Sequence, residues 1–184
     1  NKAEIKNGDT SFGEGESDIT WPKKEEVKPS VNVRKEKADN NYKEVSDNVL
    51  ELPWKIVVTG NNGGTLADLD PKTLTDTMSM RSNATWQDIY MSDGIKHYIT
   101  AEQLDNIKFD AKDSNWQSVE LEKDVDYKIV YTGSALGVTS FNIEFIETSE
   151  KLKEVANLTI SYSTTAEVTN VDMGTTIQIN NTVS

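Results

Sequence analysis

A chain of 184 residues is long enough to bury a sizeable core as one domain, or as one domain with a piece of another. Its 31 acidic side chains against 19 basic ones give a net charge of −12, which argues against a nucleic acid as partner. The absence of cysteine excludes disulfides, thiolate metal sites, a catalytic thiol and an internal thioester. A secreted form would therefore need another source of stability.

Residues 1–29 carry Gly, Ser, Glu and Pro with little apolar periodicity, which predicts a linker. The first five residues, Asn-Lys-Ala-Glu-Ile, are similar to the closing Asn181–Ser184 and could be the last-strand tail of a preceding domain. The domain proper is then expected to cover residues 30–184. No apolar run reaches membrane-spanning length and no signal pattern opens the chain, which indicates a cytosolic protein or an excised fragment, without membrane contact by this segment.

Alternating apolar residues, many of them β-branched or aromatic, predict strands from residue 30 onward. The inward positions of the first three strands are expected to be Val31, Val33 and Lys35, then Leu50, Leu52, Trp54, Ile56 and Val58, then Leu74, Asp76 and Met78. The second series stops at Gly60–Gly64, a turn rich in residues that tolerate positive φ. Further strands are predicted at 86–91 and 95–99, on either side of a turn at Ser92–Gly94.

A short helical turn is predicted at 101–106, because Thr100 can cap it and Gln103 can reach back to the cap. The later strand patterns cover 127–131, 141–145, 158–162 and 177–183. About eight strands with almost no long helical period predict an all-β, immunoglobulin-like antiparallel sandwich with one or two short helical turns.

Three polar residues, Lys35, Asp76 and Asn181, fall in phase with the apolar residues of the first, third and last strands and are expected to point inward. Burial favours a neutral amine and a protonated acid, because the charged forms are costly to desolvate. The Lys35 amine could then attack the Asn181 carboxamide while Asp76 polarises the carbonyl and shuttles protons, which releases ammonia and leaves an amide cross-link. This is one self-reaction, without enzymatic turnover. The alternative is that Lys35 and Asn181 are solvated strand residues and that Asp76 caps a turn.

Several segments resemble the collagen-adhesin A-type isopeptide domain of Gram-positive surface proteins, over residues 30–184. The segments that carry the resemblance are Trp54–Val58, Leu74–Met78, Ile160–Ala166 and Ile179–Val183. The resemblance implies a bond between a first-strand lysine and a last-strand asparagine with an acid between them, which maps onto Lys35, Asn181 and Asp76. Near-equivalent residues by sequence are Lys37 for the lysine, Asn180 for the asparagine, and Asp68, Asp70 or Glu144 for the acid. One β-bulge would reverse the parity that separates them.

Residues 19–23 read Ile-Thr-Trp-Pro-Lys and resemble the pilin motif of pilus backbone subunits, with Trp where Tyr is usual. Lys23 is therefore a candidate pilin-motif lysine, and an ordinary exposed linker lysine is the alternative. Together the resemblances imply an extracellular structural or adhesive module, anchored in a Gram-positive cell wall or built into a pilus shaft. Its partners would be neighbouring domains of the same protein and a host matrix protein or glycan, and it would need no cofactor.

The rival interpretation is a carbohydrate-binding or host-matrix-protein-binding sandwich without the cross-link. Trp86, Tyr90 and Trp116 could form its aromatic platform, although core or sheet packing is the commoner use of such rings. The acidic runs at 68–70 and 124–126 are interpreted as solvated turns and not as a calcium site, so no metal is predicted. A lone His97 without a nucleophile motif indicates no catalytic triad.

Overall fold

The computed structural model describes residues 2–7, 10–16, 27–38, 42–82, 88–89, 91–92, 94–133, 137–169 and 176–184. Within these ranges the chain has one α-helix, α1 (Ala101–Asp105), and two 3-10 turns, at Leu66–Asp68 and Glu150–Lys153. The strands are β1 (Lys2–Asn7), β2 (Thr10–Glu16), β3 (Ser30–Lys37), β4 (Lys43–Ser46), β5 (Val49–Asn61), β6 (Thr73–Ser82), β7 (Asp88–Ile89), β8 (Met91–Ser92), β9 (Ile95–Tyr98), β10 (Lys108–Lys112), β11 (Ser118–Val119), β12 (Tyr127–Val130), β13 (Ser140–Phe145), β14 (Asn157–Val168) and β15 (Ile177–Val183).

The strands form two main antiparallel sheets. The larger sheet has the order β11-β10-β14-β5-β3, with β4 added to β5, β9 to β14 and β8 to β9. The smaller sheet has the order β12-β13-β6-β15, with β7 added to β6. Strands β1 and β2 pair with each other as a separate two-stranded sheet. The predicted all-β antiparallel sandwich is confirmed, and the division of the chain at residue 29 stays a prediction.

The two main sheets bury one apolar core, because successive side chains of a strand point to opposite faces of its sheet. The buried residues of the larger sheet include Trp54, Ile56, Val58, Leu158, Ile160 and Tyr162, and those of the smaller sheet include Leu74, Met78, Phe141, Ile143 and Phe145. Complete burial of one such aliphatic side chain stabilises the fold by about 1.5–3 kcal/mol. A polar side chain on these inner faces therefore lies in surroundings that favour its neutral form.

Two local predictions are confirmed. In the turn after β5, Asn62 and Gly63 have φ of 54° and 78°, the left-handed conformation that these residue types tolerate. At the start of α1, the Gln103 amide donates to Thr100 Oγ1 at 3.1 Å and the Thr100 amide donates to Gln103 Oε1 at 3.0 Å. This reciprocal pair satisfies two backbone donors that the helix leaves open.

The strand prediction missed β2, β4, β10 and β11, whose sequences are rich in charged or small polar residues, and it included β1 only as a possible strand tail of a preceding domain. In β10 only Phe109 and Ala111 face the core, and Lys108 and Asp110 face solvent. Two apolar positions are too few to establish a period by themselves, so the backbone pairing of β10 with β14 determines this strand.

Candidate functional site

Four polar side chains from four strands meet between the two sheets. Lys35 on β3 and Tyr162 on β14 come from the larger sheet, and Asp76 on β6 and Asn181 on β15 come from the smaller one. In the smaller sheet Asn181 pairs with Met78, so it lies diagonally across from Asp76 on the same face. We call Lys35, Asp76, Tyr162 and Asn181 the buried tetrad.

Hydrogen bonds connect all four members of the buried tetrad. Lys35 Nζ donates to Asp76 Oδ2 and to the Tyr162 hydroxyl, and that hydroxyl donates to the same Asp76 oxygen. Asn181 Nδ2 donates to the Tyr162 hydroxyl at 3.5 Å. The exposed fraction is 9% for the Lys35 side chain, 0% for Asp76 and 8% for Asn181, so little water reaches the cluster.

Aromatic rings form the walls around the Lys35 amine. Its Nζ lies 4.7 Å from the centroid of the Tyr162 ring and 5.6 Å from that of Trp54. Phe141 packs edge-on against Tyr162, with ring centroids 5.5 Å apart and an interplanar angle of 89°. These rings exclude water and keep the local dielectric low, although their faces attract a cation.

Burial moves the lysine and the carboxyl towards their neutral forms. It lowers the pKa of Lys35 to about 8, even though the charge of Asp76 and the hydrogen bond to it act in the opposite direction. Burial also raises the pKa of Asp76, against the charge of Lys35 and the hydrogen bonds from Lys35, Tyr162 and Asn181. The pKa of Tyr162 is raised by burial and by the charge of Asp76, so its phenol keeps its proton.

Two oxygens of the buried tetrad have no hydrogen-bond partner among the described residues: Asp76 Oδ1 and Asn181 Oδ1. Both atoms are acceptors when the Asp76 carboxyl is ionised, and buried unpaired acceptors are unfavourable. A proton on Asp76 Oδ1 would convert that atom from an unpaired acceptor into a donor. The hydrogen-bond inventory therefore agrees with the pKa shift in favouring the protonated acid.

A second buried hydrogen-bond chain holds the Trp54 ring in place. Trp54 Nε1 donates to Thr164 Oγ1 at 2.8 Å, Thr164 Oγ1 lies 2.8 Å from His97 Nε2, and His97 Nδ1 lies 3.1 Å from the Ser79 carbonyl oxygen. Because that carbonyl can only accept, His97 donates through Nδ1 and accepts the threonine proton at Nε2. Burial lowers the pKa of His97 to about 4, so the ring is neutral and its tautomer is set.

The structure separates the near-equivalent candidates from the tetrad. Lys37 has the same phase as Lys35 but lies at the end of β3 and is exposed. Asn180 is one position out of phase with Asn181 and is half-buried. Glu144 pairs with Lys128 at 2.9 Å on the outside of the smaller sheet. Asp68 and Asp70 are exposed, and Asp68 Oδ2 accepts from the Thr65 amide at 2.8 Å beside a 3-10 turn. None of these five side chains has a hydrogen bond to the tetrad in the described part of the chain.

Three of the predicted functional residues, Lys23, Trp86 and Tyr90, lie outside the described residues. Trp116 is described and is 70% exposed, at a φ of 63°, so the prediction that its ring packs in the core or on a sheet is wrong. Its turn lies between the short edge strand β11 and β10, where nothing in the described structure covers the ring. An aromatic platform that includes Trp116 stays a prediction.

The interpretation of 124–126 as a solvated turn is wrong for Asp126, which is 2% exposed. Its carboxylate accepts from Ser149 Oγ at 2.6 Å, the Glu122 amide at 2.7 Å and Lys151 Nζ at 2.9 Å. Burial by itself raises the pKa of Asp126, but these hydrogen bonds and the charge of Lys151 outweigh it and hold the pKa below its ordinary value. Asp126 thus ties a loop to the 3-10 turn, and no group of three or more His, Asp or Glu in the described ranges is placed to hold a metal ion.

Tyr162 is the tetrad member that sequence reasoning did not assign to the site. Its phase with Leu158 and Ile160 marks it as an inward ring, which the structure bears out. The signal that could have found it is the hydroxyl, since a tyrosine buried on the same face as Lys35 and Asp76 needs a polar partner. Which partner it takes depends on the packing of the sheets.

No family model matches the chain, and no curated protein matches it. Among solved structures, the chain is similar to the full-length major pilin RrgB of Streptococcus pneumoniae, with 17% sequence identity and a TM-score of 0.35. The similarity covers 88% of this chain and 25% of the pilin, so the chain spans about a quarter of that protein's length. In the part of the chain that the structure describes, no helix has both the length and the apolar character needed to cross a membrane.

Proposed function

We propose that this chain is a structural module of a cell-wall-anchored surface protein or pilus shaft, and that Lys35 and Asn181 join in an intramolecular isopeptide bond. The observation that carries the proposal is the buried tetrad, in which an amine, a carboxyl and a carboxamide from three distant strands meet in one dry pocket. A buried lysine and a buried aspartate that served only as an ion pair would give little net stability, so the arrangement needs a chemical explanation.

The reaction begins from the neutral forms that burial favours. The lone pair of Lys35 Nζ attacks Asn181 Cγ, while protonated Asp76 donates a hydrogen bond to the carbonyl oxygen and stabilises the negative charge that develops there. The new Nζ–Cγ bond forms, the Cγ–Nδ2 bond breaks, and the one proton that Nζ loses converts the leaving –NH2 group to ammonia. Asp76 acts as the proton shuttle, and no cofactor, oxidant or turnover is required.

The cleft beside Asn181 gives the ammonia a way out. A cavity of about 390 Å³ opens next to the tetrad, and its walls include Asn181, Trp54, Lys37 and Arg81. Asn181 is thus at the border between the dry pocket and this cleft. Because Asn181 lines this cleft, ammonia released from its side chain has a short route to solvent.

The proposed bond would join the first and last strands of the sandwich at the edges of opposing sheets, since β3 ends one sheet order and β15 ends the other. A tensile force applied near β3 and β15 would then pass through a covalent link and not through the hydrogen bonds of the core. The chain has no cysteine, so this link would replace the disulfides that toughen other extracellular domains.

The mass of the intact protein tests the proposal. The purified chain is expected to weigh one ammonia less than its sequence requires, and Lys35→Ala, Asp76→Ala and Asn181→Ala are each expected to restore the full mass. Lys37→Ala and Asn180→Ala serve as matched controls, because they change the same strands outside the tetrad and should keep the loss of ammonia. A full mass in the unmutated, folded protein would refute the bond.

We further infer an extracellular location on a Gram-positive cell, with neighbouring domains of the same protein as the main partners. The support is the resemblance of residues 30–184 to the collagen-adhesin A-type domain and the absence of cysteine. Fractionation of cells that make the parent protein tests this inference. The protein should appear in the material released by cell-wall digestion, and recovery from the cytoplasm alone would contradict it.

A further inference from the structure

The Tyr162 hydroxyl is hydrogen-bonded to each of the other three members of the buried tetrad. It accepts from Lys35 Nζ, donates to Asp76 Oδ2 and accepts from Asn181 Nδ2 at 3.5 Å. The nucleophilic nitrogen and the leaving nitrogen of the proposed reaction thus contact one and the same oxygen atom. Asp76 Oδ2 already accepts from Lys35 and Tyr162, while Asp76 Oδ1 has no hydrogen-bond partner among the described residues.

We propose that Tyr162 is a catalytic residue of isopeptide formation, whose hydroxyl relays a proton from Lys35 Nζ to the leaving nitrogen of Asn181. The inference rests on the proposed function. It assigns the two parts of the proton shuttle to two residues. Asp76 polarises the carbonyl through Oδ1 and, through Oδ2, holds the phenol oxygen beside both nitrogens before attack, and Tyr162 then carries the proton between the two nitrogens.

The relay balances in atoms and charge. After attack, Nζ bonded to Cγ carries an excess proton, and Nδ2 needs a proton before the Cγ–Nδ2 bond can break. Once Cγ is tetrahedral, Nδ2 has a lone pair that can accept, and the Tyr162 O–H turns from Asp76 Oδ2 to Nδ2. The phenol oxygen then takes the proton from Nζ as its own O–H proton passes to Nδ2, so Tyr162 ends the step as a neutral phenol and ammonia departs. A hydroxyl suits this role because it donates and accepts at once, and burial keeps it from ionising.

Other contacts of Tyr162 show that the ring is positioned independently of the hydroxyl. The ring packs edge-on against Phe141, and β14 holds its backbone in register between β5 and β10. Removal of the oxygen alone should therefore leave the ring, and with it the wall of the pocket, in place. This makes Tyr162→Phe a selective test of the relay.

The test measures the rate of ammonia loss in chain recovered unfolded from inclusion bodies, where the tetrad has not assembled. The chain is refolded at pH 5, where Lys35 keeps its proton because its pKa of about 8 lies well above that pH, and the reaction is started by a jump to pH 8. Intact mass against time is expected to show Tyr162→Phe slower by roughly 100-fold or more, the usual effect of losing a general acid–base group. Tyr98→Phe is the control, since that hydroxyl bonds Glu167 outside the tetrad and should leave the rate unchanged.

The Asn181→Ala background cannot form the bond, so any effect of Tyr162→Phe on melting there is structural and not chemical. Asn181→Ala and the double variant Asn181→Ala/Tyr162→Phe should show similar melting temperatures if the hydroxyl acts in the chemistry. Replacement of Tyr162 by fluorotyrosine keeps the contacts and makes the phenol more acidic, so a relay predicts a changed rate in a fully folded chain.

The outcomes distinguish this inference from the proposed function. If the unmutated chain loses ammonia and Tyr162→Phe loses it at the same rate, the relay is refuted and the isopeptide bond stands. An unchanged rate with fluorotyrosine would also count against the relay. If the unmutated folded chain keeps its full mass, the proposed function itself fails.

Discussion

Desolvation decides which chemistry the individual side chains of the buried tetrad can perform. In water Lys35 would be an ammonium and Asp76 a carboxylate, and neither form attacks or protonates a carboxamide. Burial lowers the pKa of Lys35 to about 8 and raises that of Asp76, so the state with a neutral amine and a neutral acid comes within reach near neutral pH. The same residues on an exposed strand would form an unremarkable surface ion pair.

His97 allows a prediction at the residue scale about the dependence of stability on pH. Its pKa is about 4 in the folded chain against 6.5 for an exposed histidine, so between these values the unfolded chain binds more protons than the folded one. The contribution of His97 to stability is therefore complete above pH 6.5 and is lost as the pH falls to about 4, with a total on the order of 3 kcal/mol.

Denaturant unfolding of the Asn181→Ala variant across this pH range measures the effect without interference from a cross-link. Carboxyl groups titrate in the same window, so the comparison is with Asn181→Ala/His97→Gln, which should show a flatter profile between pH 4 and 6.5. Parallel profiles would mean that protonation of His97 does not oppose folding.

At the scale of elements, strand edges and loops determine where stability is concentrated. The loop before β12 is held by Asp126, which accepts hydrogen bonds from a hydroxyl, an amide and an ammonium. This anchor connects the loop to the 3-10 turn that precedes β14. Loss of the Asp126 charge should destabilise both segments, because the Glu122 amide and the Ser149 hydroxyl would then donate to a neutral oxygen, which is a weaker acceptor than a carboxylate.

We predict that Asp126→Asn destabilises the fold by about 1–3 kcal/mol, because it weakens charge-assisted hydrogen bonds at a buried position. The folded pKa of Asp126 lies below its ordinary 3.8, so its contribution is present above that pH and is lost as the pH falls further. Thermal melting at pH 7 checks the prediction, with Asp124→Asn as control, since Asp124 is exposed and Asn tolerates its φ of 67°. Equal melting temperatures for the two variants would show that Asp126 is not an anchor.

For the whole molecule, the proposed bond would close a loop that contains most of the sandwich. Loop-entropy models put the stabilisation from such a long-range link on the order of 5 kcal/mol. We predict that Lys35→Ala and Asn181→Ala melt at clearly lower temperature and are cut faster by proteases than the unmutated chain. Lys37→Ala, on the same strand, should behave like the unmutated chain.

The losses of stability caused by Lys35→Ala and Asn181→Ala should not add in the double variant, because either substitution alone removes the entire bond. Differential scanning calorimetry of both single variants and of the double variant gives the comparison. If melting is unchanged in the single variants, or if their effects add, the cross-link is not what stabilises the fold.

The sequence by itself determined the strands with a clear two-residue period and the inward phase of Lys35, Asp76 and Asn181. That phase is a local property, since the pleat alternates side chains between two faces whatever lies opposite. The capping box at Thr100 was predictable for the same reason, because all its atoms belong to one short segment. Strands with few apolar residues, such as β10, carried too little local signal.

Only the tertiary structure decided which inward residues meet. Strand order, register and the packing of one sheet on the other place Lys35 in the tetrad and leave Lys37 outside it. They also put Glu144 on the outer face of its sheet and bring the Tyr162 hydroxyl to Asp76. Burial of Asp126 likewise depends on the distant 3-10 turn at Glu150–Lys153, and Trp116 is exposed because no described element covers its turn. These contacts join residues far apart in the chain, and the energy that selects them comes from the assembled core, which no local pattern contains.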